Sequence, residues 1–122
     1  MELRKSHLRY LLVIYELGRI KPDTGIADIA KALDCSKASV TNMMSNLMEM
    51  GLLVRERYGK VYLTDTGFLL AKGLFRCVTE LQERLPALGL DLAPEDAGRL
   101  AHTIVLDLPE SCRDRLVGEQ NA

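Results

Sequence analysis

The sequence has few aromatic residues and no long apolar run. Its 122 residues include no Trp, and aromatic residues make up 5% of them. Because Leu and Met recur instead at helical spacing, we expect a mostly α-helical protein rather than a β-sandwich or barrel. A membrane span needs roughly 18 consecutive apolar residues, whereas the longest apolar run extends from Tyr10 to Tyr15. We therefore expect no membrane partner.

Residues that form disulfides, metal sites and catalytic sites are also scarce. The three cysteines, Cys35, Cys77 and Cys112, include no C-x-x-C pair, so neither a disulfide framework nor a zinc knuckle is predicted. The two histidines stand alone, and no Gly-rich phosphate loop or H-E-x-x-H motif is present. Charged residues follow the apolar run where a signal peptide would have its cleavage site. We expect a cytoplasmic protein that is not an enzyme.

Charge is divided unevenly along the chain. The formal net charge is −1, but residues 1–62 carry ten Lys or Arg and seven acids, a net of +3, and residues 63–122 carry six and ten, a net of −4. A basic first half is consistent with a polyanionic partner. Small imbalances also arise by chance, so charge alone does not identify the partner.

Three helices are predicted in the first half. Apolar residues at i, i+3, i+4 and i+7 predict a helix over about residues 3–18 that ends at Gly18, and a second over residues 26–33. Ser36 is a suitable N-cap for a third helix, which Gly51 would end. Because only a short turn separates the second helix from the third, the two form a helix-turn-helix.

The periodicity changes after the third helix. Alternation over residues 52–54 and 61–63 predicts two short strands joined by a turn at residues 58–60, which is a small hairpin or wing. Thr64 is a suitable N-cap for a long helix that ends at Pro86. This order predicts a mostly α fold, with a winged helix-turn-helix followed by helices. The apolar stripe of the long helix consists of Ala71, Leu74, Phe75, Val78, Leu81 and Leu85.

The third helix has an unusual outward face. Opposite its apolar residues lie Ala38, Asn42, Ser45 and Glu49, with Ser39, Thr41 and Asn46 at the margins. Small polar side chains dominate this face. A merely solvated face usually carries Lys and Glu at helical spacing. Short side chains let a helix enter the major groove, hydroxyls bond phosphates, and Asn42 can pair with adenine through two hydrogen bonds. The face favours double-stranded DNA as the partner.

Basic residues on the hairpin agree with this interpretation. Arg55, Arg57 and Lys60 would meet phosphates on the DNA backbone. Exposed hairpins also carry Lys and Arg for solubility, so these residues add little by themselves.

Five segments carry a resemblance to a known family: Asp28 to Leu33, Ser36 to Asn42, Gly51 to Val54, Leu63 to Gly67 and Glu95 to His102. They resemble the diphtheria-toxin-repressor family of metal-dependent bacterial regulators, especially its short manganese-responsive branch. The resemblance covers nearly the whole chain, and the segment that ends at His102 makes it more specific than a winged helix alone.

The resemblance implies a homodimeric transcriptional regulator, expected to be a repressor. It also implies a DNA-binding domain at residues 1–63 and a helical dimerisation domain at residues 64–122. It also implies that Ser36, Ala38, Ser39, Thr41 and Asn42 occupy DNA-contacting positions. With the outward face and the hairpin added, the predicted DNA-binding residues are Ser36, Lys37, Ala38, Ser39, Thr41, Asn42, Ser45, Arg55, Arg57 and Lys60.

The family's metal ligands do not carry over. The matching positions hold Arg9, Leu12, Cys77, Gly98, Ala101 and His102. Most of these side chains offer no donor atom, and Arg9 adds a fixed positive charge. We therefore expect a degenerate metal site, no metal cofactor, and DNA binding that does not depend on manganese or iron. The alternative is a transition metal held by Cys77 and His102, with help from Cys112 or an acid.

Other functions remain open at this point. Within the DNA-binding interpretation, the regulator could be independent of metal, sense thiols, or bind a small organic ligand beside the long helix. In a different class, the chain would be a helical protein-interaction module that uses a winged helix without DNA. Salt-dependent binding to duplex DNA distinguishes that module from a DNA-binding regulator.

Overall fold

The computed structural model describes residues 3–57 and 59–121. Within them the protein is mostly α-helical, as predicted, with a single small antiparallel hairpin. The helices are α1 (Lys5–Ile20), α2 (Ile26–Leu33), α3 (Lys37–Glu49), α4 (Asp65–Arg84), α5 (Pro94–Leu106) and α6 (Glu110–Asn121). The strands are β1 (Leu53–Arg55) and β2 (Val61–Leu63), and a 3₁₀ turn (Leu85–Leu88) follows α4. None of the described helices has the length and apolar character needed to cross a bilayer.

The chain divides into two compact units, which we call the N-terminal unit (Met1–Ala71) and the C-terminal unit (Lys72–Ala122). The N-terminal unit contains α1, α2, α3, the hairpin and the start of α4. The C-terminal unit contains the rest of α4 and the helices after it. The functional division predicted between residues 63 and 64 stays a prediction.

The end of α1 differs from the prediction. The helix continues through Gly18 to Ile20, and the N–H of Lys21 still donates to the Leu17 carbonyl at 2.8 Å. Lys21 then turns to an extended conformation, with φ −133° and ψ 110°. It precedes Pro22, whose ring disfavours the helical conformation in the residue before it. The proline ends α1, because a single glycine costs a helix only about 1 kcal/mol relative to alanine.

The predicted helix-turn-helix is present. Asp34 ends α2 in the left-handed conformation, with φ 52°, and the N–H of Cys35 donates to the Ala30 carbonyl at 3.0 Å. Asp tolerates this conformation better than most side chains do. The Ser36 hydroxyl oxygen then accepts the Ser39 N–H at 3.1 Å, which confirms the predicted N-cap of α3.

One continuous core holds the N-terminal unit together. Its buried side chains come from α1, α2, α3, the hairpin and α4, so every element contributes an apolar face. The fully buried large side chains of this unit are Leu8, Leu11, Leu12, Ile29, Val40, Met44, Leu47 and Leu52.

The hairpin lies one residue later than predicted at its first strand. Leu53 pairs with Leu63 and Arg55 with Val61, and the side chains of Leu53 and Val61 are buried. In the predicted turn, Gly59 has φ +86°, a conformation that favours glycine. Tyr58 lies outside the described residues.

The start of α4 packs unusually close to β1. The Thr64 hydroxyl accepts the Gly67 N–H at 3.1 Å and donates to the Gly51 carbonyl at 2.7 Å, so it caps α4 as predicted and also joins it to the end of α3. A Cβ on residue 67 would overlap the carbonyl oxygen of Leu52. Only glycine fits there without a shift of the backbone.

The C-terminal unit has a smaller core. Its buried side chains are Leu74, Val78, Leu85, Ala97, Ala101 and Val105. Two of them are alanines on α5, so that helix contributes little apolar volume. Among the residues of this unit whose burial is described, four large apolar side chains are exposed: Leu88 at 73%, Leu90 at 49%, Leu100 at 37% and Ile104 at 38%.

Candidate nucleic-acid interface

Helix α3 has one buried face and one exposed face. Val40, Met44 and Leu47 are at most 1% exposed and hold the helix against the core. On the opposite side, Ala38 and Asn42 are exposed. The other predicted contacts on this helix and its cap are Ser36, Lys37, Ser39 and Ser45, all exposed, and Thr41, which is half-buried.

The hydroxyl groups at the start of α3 form a short chain. Ser36 Oγ accepts the Ser39 N–H and donates its own proton to Ser39 Oγ, 2.9 Å away. The Ser39 hydroxyl accepts in this bond, so its own proton is not used by it. Lys37 is exposed in the same turn, and the free N–H groups of a helix N-terminus attract anions. This end of α3 therefore suits a phosphate group.

Farther along α3, the polar side chains differ in whether they already make a hydrogen bond within the protein. The Ser45 hydroxyl donates to the Thr41 carbonyl at 3.3 Å, within the helix itself. The amide of Asn42 has no hydrogen bond with any residue that the structure describes. Of the outward polar groups on α3, the Asn42 amide is thus available to a partner.

The hairpin carries its basic residues on a fixed support. Arg55, Arg57 and Lys60 are exposed. The backbone of Lys60 bridges to Gly25, and the Val61 N–H donates to the Thr24 carbonyl at 3.0 Å. Because residues 24 and 25 directly precede α2, the hairpin is tied to the helix-turn-helix.

The turn before α2 is itself stabilised by a carboxylate. Asp28 accepts the Gly25 N–H at 3.0 Å and lies 3.1 Å from Lys21 Nζ. The Gly25 hydrogen bond and then the Lys21 ammonium lower the pKa of Asp28. This arrangement caps α2 at a residue, Gly25, that has no side chain to do so.

Helix α1 contacts the helix-turn-helix through a pair that sequence reasoning missed. The Tyr10 hydroxyl lies 3.6 Å from Cys35 Sγ, directly before the N-cap of α3. Burial, and then the hydrogen bond with Cys35, raise the pKa of Tyr10 to about 12. The two residues are 25 positions apart, and such a contact leaves no periodic signal in a sequence.

The positions that match the family's metal ligands do not fit a divalent ion. Leu12 and Ala101 are buried at 1% and 0% exposure, and a Cβ on Gly98 would already lie 3.3 Å from the Gln82 amide nitrogen. Within the described part of the chain, no group of three or more His, Cys, Asp or Glu side chains could hold a metal. Arg9 is exposed.

The alternative ligands, Cys77, His102 and Cys112, belong to no group of three or more His, Cys, Asp or Glu side chains that could hold a metal among the described residues. His102 Nδ1 lies 2.7 Å from the Gly98 carbonyl and donates to it. Cys77 is half-buried, and burial, followed by the charge of Glu80, raises the pKa of its thiol. A raised pKa disfavours the thiolate that a metal needs. Cys112 is exposed.

Comparison with known proteins supports the resemblance. Residues 2–61 match the family described as iron dependent repressor, N-terminal DNA binding domain. The chain is 35% identical to the HTH-type transcriptional regulator MntR of Shouchella clausii strain KSM-K16 over 82 residues. The aligned segment covers 67% of this chain and 57% of MntR. The chain thus spans little more than half the length of that relative.

Two solved structures have the same fold. The manganese-activated repressor ScaR in its apo form is 28% identical, with a TM-score of 0.66 over 88% of this chain and 51% of ScaR. The manganese regulator SloR superposes with a TM-score of 0.70 over 99% of this chain and 55% of SloR, at 23% identity.

These relatives correct one expectation. The prediction of a regulator without a metal cofactor is contradicted, because the matching family is that of iron-dependent repressors and ScaR is a manganese-activated repressor. The prediction was wrong because it judged the cofactor from six positions of the chain alone. The side chains at those positions do not by themselves fit a metal.

The fold, the exposed face of α3 and the matched segment all point to the same group of proteins. The order of helix, helix-turn-helix and hairpin agrees with the family's DNA-binding domain, and the match begins three residues before α1 and ends at the first residue of β2. The chain belongs to the iron-dependent repressor family of transcriptional regulators, known also as the diphtheria-toxin-repressor family.

Proposed function

We propose that this protein is a DNA-binding transcriptional repressor that acts as a homodimer on double-stranded DNA. The observation that carries the proposal is the exposed face of α3, where Ala38, Asn42 and Ser45 lie opposite a fully buried apolar face. Short side chains allow the helix backbone to approach base edges in the major groove.

Phosphate contacts would orient the protein on the duplex. The N-terminus of α3, with Lys37 and the Ser39 hydroxyl, binds one phosphate, and Arg55, Arg57 and Lys60 on the hairpin bind the backbone beside it. Because the hairpin is tied to residues 24 and 25, these cations keep a constant position relative to α3.

In this proposal residues 1–63 bind DNA and residues 64–122 form the dimer. The exposed side chains of Leu88, Leu90, Leu100 and Ile104 support a dimer, because a partner subunit would bury them. A two-fold dimer places two recognition helices about one DNA turn apart, which matches a palindromic operator.

The test is binding to duplex DNA at increasing salt concentration, followed by fluorescence anisotropy. Each phosphate contact adds roughly 0.9 to the slope of log affinity against log salt. We expect Arg57→Ala to lower affinity for every sequence and to reduce the slope by about 1. Arg84→Ala, which removes a charge of the same sign from the C-terminal unit at an exposed position, is the matched control and should change neither.

The measurements are made in two parallel series, one with manganese chloride and one with chelator. DNA binding is then detected whether or not it requires a metal ion. Absence of salt-dependent duplex binding in both series would contradict the proposal and favour the protein-interaction module. Equal slopes for the wild type and Arg57→Ala would show that the hairpin does not meet the backbone.

A further inference from the structure

We infer that a pocket beside the hairpin binds a small aromatic carboxylate, and that the bound ligand holds the hairpin against the turn before α2. The pocket measures about 290 Å³ and lies within the N-terminal unit, between the second half of α1, residues 22–24, β2 and the start of α4. None of the described residues that line it belongs to α3 or matches a metal ligand of the family. Its ligand can therefore bind whether or not the protein binds DNA.

The size and lining of the pocket suit a small organic molecule. Small-molecule sites usually measure roughly 300–1,000 Å³ and are lined chiefly by apolar and aromatic side chains, with a few polar groups. This pocket is at the lower end of that range, so it suits a ligand with one or two rings. Its apolar lining includes Ile14, Pro22 and Leu63, and its polar lining includes Arg19 and Thr24. A compact ligand with an apolar body and one polar end matches this distribution.

Aromatic residues are concentrated around the pocket. The chain has four Tyr, two Phe and no Trp, and half of them, Tyr15, Tyr62 and Phe68, line the pocket. The rings of Tyr15 and Phe68 pack with their centroids 5.6 Å apart. Tyr62 is nevertheless 39% exposed and Phe68 43% exposed. Because aromatic rings pair favourably at centroid distances of roughly 4.5–7 Å, the ring of a ligand would bury these surfaces. The lining favours an aromatic ligand over an aliphatic one.

One charged side chain defines the polar end of the ligand. Arg19 is the only charged residue among the described residues that line the pocket, and it is exposed in the last turn of α1. Its guanidinium has five N–H donors, so it can bind a carboxylate through two parallel hydrogen bonds beside the interaction it already has within the protein. The charge of Arg19 favours an anionic ligand over a neutral or cationic one.

The ligand would contact both sides of the hydrogen bond that joins the hairpin to the turn before α2. Thr24 and Val61 both line the pocket, and the Val61 N–H donates to the Thr24 carbonyl at 3.0 Å. A ligand that contacts both residues binds only while they are held together, and it shifts the equilibrium toward that arrangement. An occupied pocket therefore opposes separation of the hairpin from the turn.

The first experiment titrates phenylacetate into the isotopically labelled full-length protein and follows the backbone amides by NMR. A ligand of this size is expected to bind with a dissociation constant of about 0.1–1 mM. The amides that shift should lie around the pocket, including those of Val61 and Phe68. Phenylacetamide keeps the ring without the charge and should bind about tenfold more weakly. Cyclohexylacetate keeps the charge without the aromatic ring and should bind about threefold more weakly.

Two substitutions test the pocket, each with a matched control. Arg19→Gln should weaken the binding of phenylacetate about tenfold and leave that of phenylacetamide unchanged. Arg55→Gln removes an exposed guanidinium from the hairpin, outside the lining, and should change neither. Gly18 also lines the pocket, and a Cβ there meets nothing within 4 Å. Gly18→Leu should therefore fill the pocket, keep the fold and abolish binding, whereas Gly18→Ala should retain most of it.

Hydrogen exchange tests the effect on the hairpin. With phenylacetate at ten times its dissociation constant, the Val61 amide should exchange about 11-fold more slowly, because the separated arrangement does not bind the ligand. The amides of α5, in the C-terminal unit, are the control and should be slowed less.

The outcomes test the two parts of the inference separately. Absence of phenylacetate binding would overturn the inference, and so would binding that persists unchanged in both Arg19→Gln and Gly18→Leu. Binding in the pocket that leaves Val61 exchange unchanged would overturn the effect on the hairpin. Since none of these measurements involves DNA, their failure would leave the proposed function standing.

Discussion

The two units of the molecule bury their apolar residues to very different extents. In the N-terminal unit, α1, α2, α3, the hairpin and the start of α4 all contribute buried apolar side chains. In the C-terminal unit, the fully buried large side chains are Leu74 and the two valines Val78 and Val105, and α5 contributes Ala97 and Ala101. Both units leave some large apolar side chains exposed, such as Ile20 in the N-terminal unit and Leu88 in the C-terminal unit.

Their hydrogen bonds differ in the same direction. Thr64 joins α4 to the end of α3, and Val61 joins the hairpin to the turn before α2. In the C-terminal unit, the hydroxyls of Thr79 and Thr103 bond carbonyls one turn earlier in their own helices. The first two hydrogen bonds join separate elements of the N-terminal unit, whereas those of Thr79 and Thr103 stay within one helix.

The largest expected effect comes from a cavity in the N-terminal core. Leu11 is completely buried, so Leu11→Ala should lower the free energy of unfolding by about 2–5 kcal/mol. Urea unfolding followed by circular dichroism measures the loss. Met48→Ala, on an exposed side chain of the same unit, should change stability by less than about 0.5 kcal/mol. Similar losses for the two variants would show that this core is not the main source of stability.

A smaller effect is expected where α4 meets β1. Gly67→Ala should destabilise the protein by about 1–3 kcal/mol, because the new methyl group overlaps the Leu52 carbonyl and the backbone must move. Gly18→Ala is the matched control, since a Cβ there meets nothing within 4 Å. The control should stabilise α1 by about 0.5–1 kcal/mol. A stabilising Gly67→Ala would contradict the close approach.

A weaker but specific effect is expected on the association of two subunits into the proposed dimer. The double substitution Leu100→Asp and Ile104→Asp places charge on the exposed apolar face of α5 and should weaken the dimer at least about tenfold, or 1.4 kcal/mol. Analytical ultracentrifugation measures the dissociation constant. Thr103→Asp adds a carboxylate to the same helix at another exposed position and should have less effect. An unchanged dimer would mean that this face is not the interface.

The smallest effect is expected at the solvent-exposed cap of α2. The pKa of Asp28 is lowered in the folded protein from its ordinary value of 3.8. Its carboxylate therefore adds stability above pH 3.8, and this stability is lost as the pH falls through the lower, folded-state pKa. Asp28→Asn should be less stable than the wild type at neutral pH, and the difference should vanish in acid.

Asp23→Asn is the control for that measurement. It removes the same charge from the same turn without removing the bond to the Gly25 N–H. Thermal unfolding of the three proteins over a series of pH values separates the cap from a general effect of charge. Identical pH profiles for both variants would contradict the role of the cap.

Much of the fold could be predicted because its signals are local. The caps at Ser36 and Thr64 act on residues three positions away, and apolar spacing identified the helices over the same short range. The end of α1 was misplaced at Gly18, although the true cause, Pro22, is also local. There, two helix-ending residues competed, and the stronger constraint on the backbone prevailed.

The candidate site could be predicted only in outline. Spacing on α3 identified an outward row of short side chains, and the structure finds these side chains exposed. Spacing alone did not distinguish Ser45, whose hydroxyl donates to a carbonyl of its own helix, from Asn42, whose amide is available to a partner. That distinction depends on atomic distances of about 3 Å, which helical periodicity does not describe.

By itself, the sequence determined the order of elements, the buried and exposed faces of α3 and the family, because these follow from residue types at short, regular spacings. Tertiary structure alone decided the close approach at Gly67, the attachment of the hairpin to residues 24 and 25, and the contact between Tyr10 and Cys35. Each of these joins residues far apart in the chain. Such contacts form only when the core brings distant elements together, so no local pattern encodes them.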